Sequence, residues 1–143
     1  FVFFGAPDST DDRDQALRCV RMAIDMQHKM QALQQKWFNE GIEHPLQIRC
    51  GINTGMATVG SFGSRHRSEY SAMGMQVNLA SRLETACEPG GILISHSTWA
   101  LTNDQIDCRS KETIVVKGFS RPLRAYEVKL GTNNGRKSAI SGA

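Results

Sequence analysis

Polar and apolar positions divide the chain into short blocks of contrasting period. Phe1-Val2-Phe3-Phe4 is an unbroken apolar run of the kind that forms a buried strand, and Gly5-Ala6-Pro7-Asp8 ends it. Ser9, Thr10 and Asp11 offer helix N-caps, and Asp12 and Asp14 suit the positive end of a helix. From there to about residue 38 the pattern is helical, with Cys19, Ala23, Met26, Met30, Leu33 and Trp37 recurring at three and four residues. Such a helix is about 40 Å long at its usual rise per residue. Its methionines read as core filler rather than as a binding face.

Asn39-Glu40-Gly41 stops that helix, and alternation resumes with period two. Leu46, Ile48, Cys50 and Ile52 alternate with Gln47, Arg49 and Gly51, which predicts a half-buried strand over 46–52. A turn at Asn53-Thr54-Gly55 leads to a strand over 56–59, a second turn over 60–64 and a strand over 69–73 that ends at Gly74. A helix is predicted from about 76 to 87, stopped by Glu88-Pro89-Gly90-Gly91. Ile92-Leu93-Ile94 reads as a short buried strand, and Ser95 or Ser97 as the cap of a brief helix through Leu101. Residues 107–117 and 124–130 complete the set as a strand pair around a turn over 118–122. Helices alternate with strands, yet Gly-rich turns join neighbouring strands. This mixture predicts an α+β fold, a mainly antiparallel sheet flanked by helices.

Composition narrows the class without naming a function. A hydrophobic fraction of 40% and a charged fraction of 22% in 143 residues exclude a disordered tail, a collagen-like chain and a disulfide miniprotein. No apolar run approaches the roughly 18 residues of a membrane span. The formal charge is only +3, and Arg136 and Lys137 in the acid-free tail account for most of it, so no nucleic-acid partner is expected. Cys19, Cys50, Cys87 and Cys108 form no C-x-x-C pair and read as buried thiols in a reducing compartment. The chain opens on Phe1 in what looks like mid-strand, which suggests a piece of something longer. Residues 1–130 are expected to form the domain and 131–143 a flexible tail.

Candidate chemistry concentrates between Tyr70 and Glu84. On a helix, Asn78 and Arg82 lie about 40° apart in azimuth and about 6 Å apart in rise, on one face. An amide that donates and accepts would stand beside a planar five-donor cation suited to phosphate oxygens. Spacing alone describes an ordinary solvated surface equally well. Lys117, at the end of the β-branched run Val115-Val116, is by itself a solvated charge or a phosphate ligand. Ser71, just before Gly74, either closes a turn or reads a base edge.

The order of several strings goes further. Phe3-Phe4-Gly5-Ala6-Pro7 is followed by Arg49-Cys50-Gly51-Ile52-Asn53-Thr54-Gly55. Then come Tyr70-Ser71 through Gly74 to Val77-Asn78-Leu79-Ala80-Ser81-Arg82-Leu83-Glu84, and finally Val116-Lys117-Gly118. This order resembles the class III nucleotide cyclase catalytic domain, the adenylate and guanylate cyclase family, over about residues 1–130. The resemblance implies a ferredoxin-like fold lacking its first strands here. It implies a reaction in which the 3′-hydroxyl of a purine nucleoside triphosphate attacks its own α-phosphorus and pyrophosphate leaves. It assigns ribose orientation to Asn78, charge neutralisation at the α-phosphate to Arg82, the terminal phosphates to Lys117 and base reading to Ser71.

Because Ser71 keeps the hydroxyl of the Thr found in a bacterial-type branch, the resemblance leans to ATP over GTP and to an adenylate cyclase. The alternatives are a guanylate cyclase and a non-catalytic, nucleotide-binding regulatory domain. Two divalent ions, Mg2+ or Mn2+, are implied as cofactors. Their Asp ligands and a base-reading Lys are expected upstream of residue 1, so the chain by itself is expected to show no turnover. Met75 stands where the family often has Asp. A head-to-tail homodimer with sites at the subunit seam is implied, as is a cytoplasmic catalytic domain. Membrane attachment is expected only through regions outside this chain.

Overall fold

The computed structural model describes residues 2–3, 5, 11–44, 46–64, 67–111, 114–115 and 121–131, with Phe62, Ser64 and 67–71 described for the backbone alone. The elements run in the order α1 (Asp12–Asn39), β1 (Cys50–Ile52), β2 (Thr58–Ser64), β3 (Arg67–Met73), α2 (Met75–Ala86), β4 (Ile92–Ser95), α3 (His96–Thr102), β5 (Cys108–Ser110) and β6 (Ala125–Val128). Four strands form one sheet in the order β1-β4-β6-β5, and β2 and β3 form a separate two-stranded sheet. β1 and β4 are parallel, while β4–β6, β5–β6 and β2–β3 are antiparallel. The expected α+β architecture with a mainly antiparallel sheet is therefore present.

Side-chain alternation along the strands separates two apolar layers. Ile52, Ile92, Ile94, Tyr126 and Val128 pack with Leu17, Val20, Ala23 and Ile24 of α1. Leu93 and Ala125 point the other way and pack with Leu79 and Leu83 of α2. α1 and α2 thus cover opposite faces of the sheet. Trp99 of α3 stacks on Tyr126 with ring centroids 4.6 Å apart, on the α1 face.

Helix α1 begins where its caps predict. The Asp11 side chain accepts a hydrogen bond from the Asp14 N–H, and Asp12 and Asp14 sit in the first turn. Its buried face is rotated from the expected stripe, however. Ala16, Leu17, Val20, Ala23, Ile24 and Gln27 are buried, while Met22 is exposed and Met26 and Met30 only half-buried, so the methionines are not the core filler expected. Gln27 explains the rotation. Its Nε2 donates to the Ile48 carbonyl at 3.0 Å and the Gly91 carbonyl at 2.8 Å, so an amide occupies the centre of an apolar contact. Ser95 is the cap of α3, its hydroxyl accepting from the Thr98 N–H.

Four predicted elements differ. Among the described residues the strand over 107–117 contracts to Cys108–Ser110, with a separate bridge between Ile114 and Leu123. Val2 and Phe3 are more than half exposed and form no strand, because an apolar run becomes a strand only with a ladder partner and β1 is the sheet edge among the described residues. The strand over 46–52 contracts to Cys50–Ile52; Leu46 is 72% exposed and has no buried face to turn toward. The turn placed over 60–64 is instead the far half of β2, since Gly60 through Ser64 pair with Ser71 through Arg67. Glycine has no side chain to conflict with that ladder, so composition alone misplaced the turn. The predicted turn over 118–122 lies largely, and the tail beyond Gly131 wholly, outside the described residues. Among the described residues no helix is long and apolar enough to cross a membrane.

Candidate active site

The candidate residues hang on the junction between β3 and α2. Gly74 joins them with φ 132° and ψ 175°, a backbone region open in practice only to glycine. Nothing lies within 4 Å of the Cβ position there, so torsion rather than crowding demands the glycine. α2 then starts with no side-chain cap and no acid in its first turn. Its first helical bond runs from the Asn78 N–H to the Gly74 carbonyl at 3.1 Å.

Burial of Leu79 and Leu83 sets the rotation of α2. A second constraint comes from β1, where a Cβ on Gly51 would collide with the Ala80 carbonyl and the Glu84 N–H. The helix backbone rests on the strand at that glycine. Asn78 and Arg82 consequently face outward and are exposed. Neither side chain makes a hydrogen bond or ion pair with another described residue. Glu84, the acid nearest Arg82 in sequence, is drawn away by Arg49, whose Nε lies 3.2 Å from its Oε1. The Arg82 charge is left available to an anion. Asn78 and Arg82 do not line the hollow beside Leu93 and Glu127, the one beside Ile52 and Ala80, or the one beside Arg18 and Met26. Both side chains are exposed.

Ser71 lies in β3 opposite Gly60, on the strand that feeds α2 through Gly74. The backbone thereby brings Ser71, Asn78 and Arg82 onto one continuous unit. Lys117 lies outside the described residues, so its relation to that unit is not described.

Sequence reasoning passed over a polar latch beside this unit. Asn53, just after β1, donates through Nδ2 to the Gln76 carbonyl at 3.0 Å and to Gln76 Oε1 at 2.7 Å. Its Oδ1 accepts from the Ser97 hydroxyl of α3 at 3.1 Å. Ser97 Oγ also lies 2.9 Å from Ser95 Oγ, and Thr54 Oγ1 lies 2.9 Å from Thr98 Oγ1. Asn53 and Gln76 are 23 residues apart, a separation at which no local period connects them. The signal available was that Asn53 belongs to one of the strings that carried the resemblance and Gln76 falls within the span of another.

Divalent metal ions need hard oxygen donors gathered in one place. Among the described residues no group of three or more His, Cys, Asp or Glu could hold a metal. The acids near the start of α1 are already engaged: Asp11 caps the helix, and Asp14 Oδ2 lies 3.0 Å from Arg18 Nε. The described residues do not by themselves fit a two-metal centre. Cys19, Cys50 and Cys87 form no disulfide. Burial pushes the Cys19 and Cys50 thiols up, and chiefly by burial Cys87 rises to about 11. These three stay protonated at neutral pH, so they are not poised as thiolate nucleophiles.

The model of the adenylate and guanylate cyclase catalytic domain matches residues 1–130. The chain belongs to that family. Adenylate cyclase 1 of Rhizobium meliloti (strain 1021) is 35% identical over 131 residues, covering 90% of this chain. The chain spans 19% of the length of that relative. The crystal structure of the adenylyl cyclase CyaB from P. aeruginosa is 49% identical with a TM-score of 0.84, over 92% of this chain and 67% of that one. The guanylate cyclase domain of RhGC from Catenaria anguillulae, solved in complex with GTP, is 28% identical with a TM-score of 0.73, over 94% of this chain and 66% of that one. Within a cyclase domain, the exposed Asn78–Arg82 pair on α2 has a defined chemical setting in which to be weighed.

Proposed function

We propose that the protein containing this cyclase domain converts ATP into 3′,5′-cyclic AMP and pyrophosphate, as an intracellular signal. The 3′-oxygen forms a bond to the α-phosphorus, the bond from that phosphorus to the bridging oxygen breaks, and the 3′-hydroxyl releases its proton. The observation that carries the proposal is the outward-facing Asn78–Arg82 pair, one turn apart on α2 and unpaired among the described residues. Asn78 orients the ribose through its amide. Arg82 opposes the charge that grows around the α-phosphorus, where a prepositioned donor acts most strongly. Lys117 binds the terminal phosphates, and Ser71 reads the adenine edge.

Such chemistry depends on position and charge more than on covalent help. Two divalent ions, Mg2+ or Mn2+, belong to the proposal as cofactors, held by carboxylates other than the described ones. The open setting of the pair supports a site completed by a second surface. A head-to-tail homodimer would supply it, and Met56, Met73 and Met75 add exposed apolar area around the β3–α2 junction, being 90%, 52% and 65% exposed. Cys19, Cys50 and Cys87, protonated and outside any disulfide, fit a reducing cytoplasm.

The test is turnover by the full-length protein with ATP and Mg2+ or Mn2+. Arg82→Ala should lower kcat by about 10²- to 10³-fold, the effect of losing one such donor. An unchanged rate removes Arg82 from the mechanism. GTP as substrate is the second reading, favoured by the likeness to a guanylate cyclase domain in complex with GTP. The ratio of kcat/KM for ATP and GTP decides between them, with ATP expected to lead.

A further inference from the structure

We infer that Asn53, with Ser97 behind it, is a positioning residue that sets the first turn of α2 and thereby the aim of Asn78 and Arg82. The inference rests on the cyclase reading for its kinetic consequence, but not for its structural content. α2 lacks both of the usual devices that fix a helix start. Gly74 provides no side-chain cap, and no acid occupies the first turn. The fixing group comes instead from another part of the chain. One Asn53 amide makes two donations to Gln76, at 3.0 Å to the carbonyl and 2.7 Å to Oε1. Gln76 is the second residue of α2, two before Asn78.

The same amide group is held from behind. Asn53 Oδ1 accepts from Ser97 Oγ at 3.1 Å, and that hydroxyl also reaches the Thr54 carbonyl at 3.2 Å. Ser97 lies in the first turn of α3, whose cap Ser95 ends β4. The latch therefore ties the start of α2 to the C-terminal ends of two paired strands, β1 and β4. The two donations to Gln76 are half-buried, which strengthens them relative to the exposed Ser97 bonds. Because the catalytic pair is proposed to act by geometry, a small shift of the first turn reaches the reaction. A displacement of about 1 Å can cost on the order of a hundredfold in rate.

The experiment compares Asn53→Ala, Ser97→Ala and Arg82→Ala, alone and combined, in the full-length protein. Asn53→Ala should lower kcat about ten- to a hundredfold, with KM for ATP changed by less than about threefold, since Arg82 acts chiefly on the transition state. In an Arg82→Ala background most of that loss should vanish, which a purely structural role would not produce. Equal losses in both backgrounds, or an unchanged kcat in Asn53→Ala, overturn the inference. If Asn53→Ala does not fold, Ser97→Ala takes its place, with a smaller fall in kcat expected and no fall contradicting the inference. Amide exchange provides a readout independent of activity. Loss of the latch should speed exchange at Asn78 N–H, and unchanged exchange overturns the inference even in a protein without turnover. Failure of the cyclase reading itself looks different: no cyclic nucleotide from the unaltered protein, or a normal rate in Arg82→Ala.

Discussion

At the residue scale, burial decides what each polar group is free to do. Asn78 and Arg82 are exposed because their neighbours Leu79 and Leu83 are not. This was legible, since the four-residue spacing and the apolar neighbours are both written in the sequence. Gln27 was not legible. A glutamine in a helical pattern reads as solvent-facing, yet it is only 1% exposed and bridges two loop carbonyls. Both carbonyls also accept backbone bonds, from Gly90 and Cys50. Gln27→Leu should therefore cost about 1–2 kcal/mol rather than unfold the domain, measured as a shift of the denaturant midpoint. Cys87 makes a pH prediction. Its folded value of about 11 stands above its ordinary 9.0, so the folded state favours the neutral thiol. The associated stability is fully present below pH 9 and is lost as pH rises toward 11. Cys87→Ala should flatten the alkaline limb of the stability profile, and an unaltered limb would show that the thiol has no part in it.

At the element scale, the helices and the buried strand β4 were legible because each carries a period and a stop signal. Asp11 and Ser95 cap where short polar residues precede a helical pattern. The hairpin was less so. Gly60 and Gly63 look like turn residues, but register is set by the partner strand, and β2 pairs from Thr58 to Ser64 without a break. Leu46 alternates correctly and still lies outside β1, because alternation predicts a face and not the presence of a neighbour. The contact of α2 on β1 yields a sharper prediction. Adding a methyl group at Gly51 strikes two backbone atoms of α2, which no rotamer change relieves. Gly51→Ala should destabilise by about 1–3 kcal/mol, and in the full-length protein it should lower turnover by moving the Asn78–Arg82 face. Gly55→Ala is the contrast. There the new methyl meets the Gln76 side chain rather than backbone, so a smaller loss of stability is expected, together with disturbance of the Asn53–Gln76 bond.

At the scale of the whole molecule, the sheet with α1 on one face and α2 on the other leaves the candidate pair exposed among the described residues. The candidates Ser71, Asn78 and Arg82 were legible in the sequence because they lie close together in the chain. The latch through Asn53, Gln76 and Ser97 joins three separate segments, and only the fold makes it visible. The proposed function completes this outward-facing pair with a second surface. Sedimentation of the full-length protein should accordingly show a dimer when nucleotide is present. The central claim is most directly tested by a crystal structure of that protein with a non-reacting ATP analogue. The account predicts the Asn78 amide within hydrogen-bonding distance of the ribose and the Arg82 guanidinium on the α-phosphate. A nucleotide bound with both side chains turned away from sugar and phosphorus would contradict it.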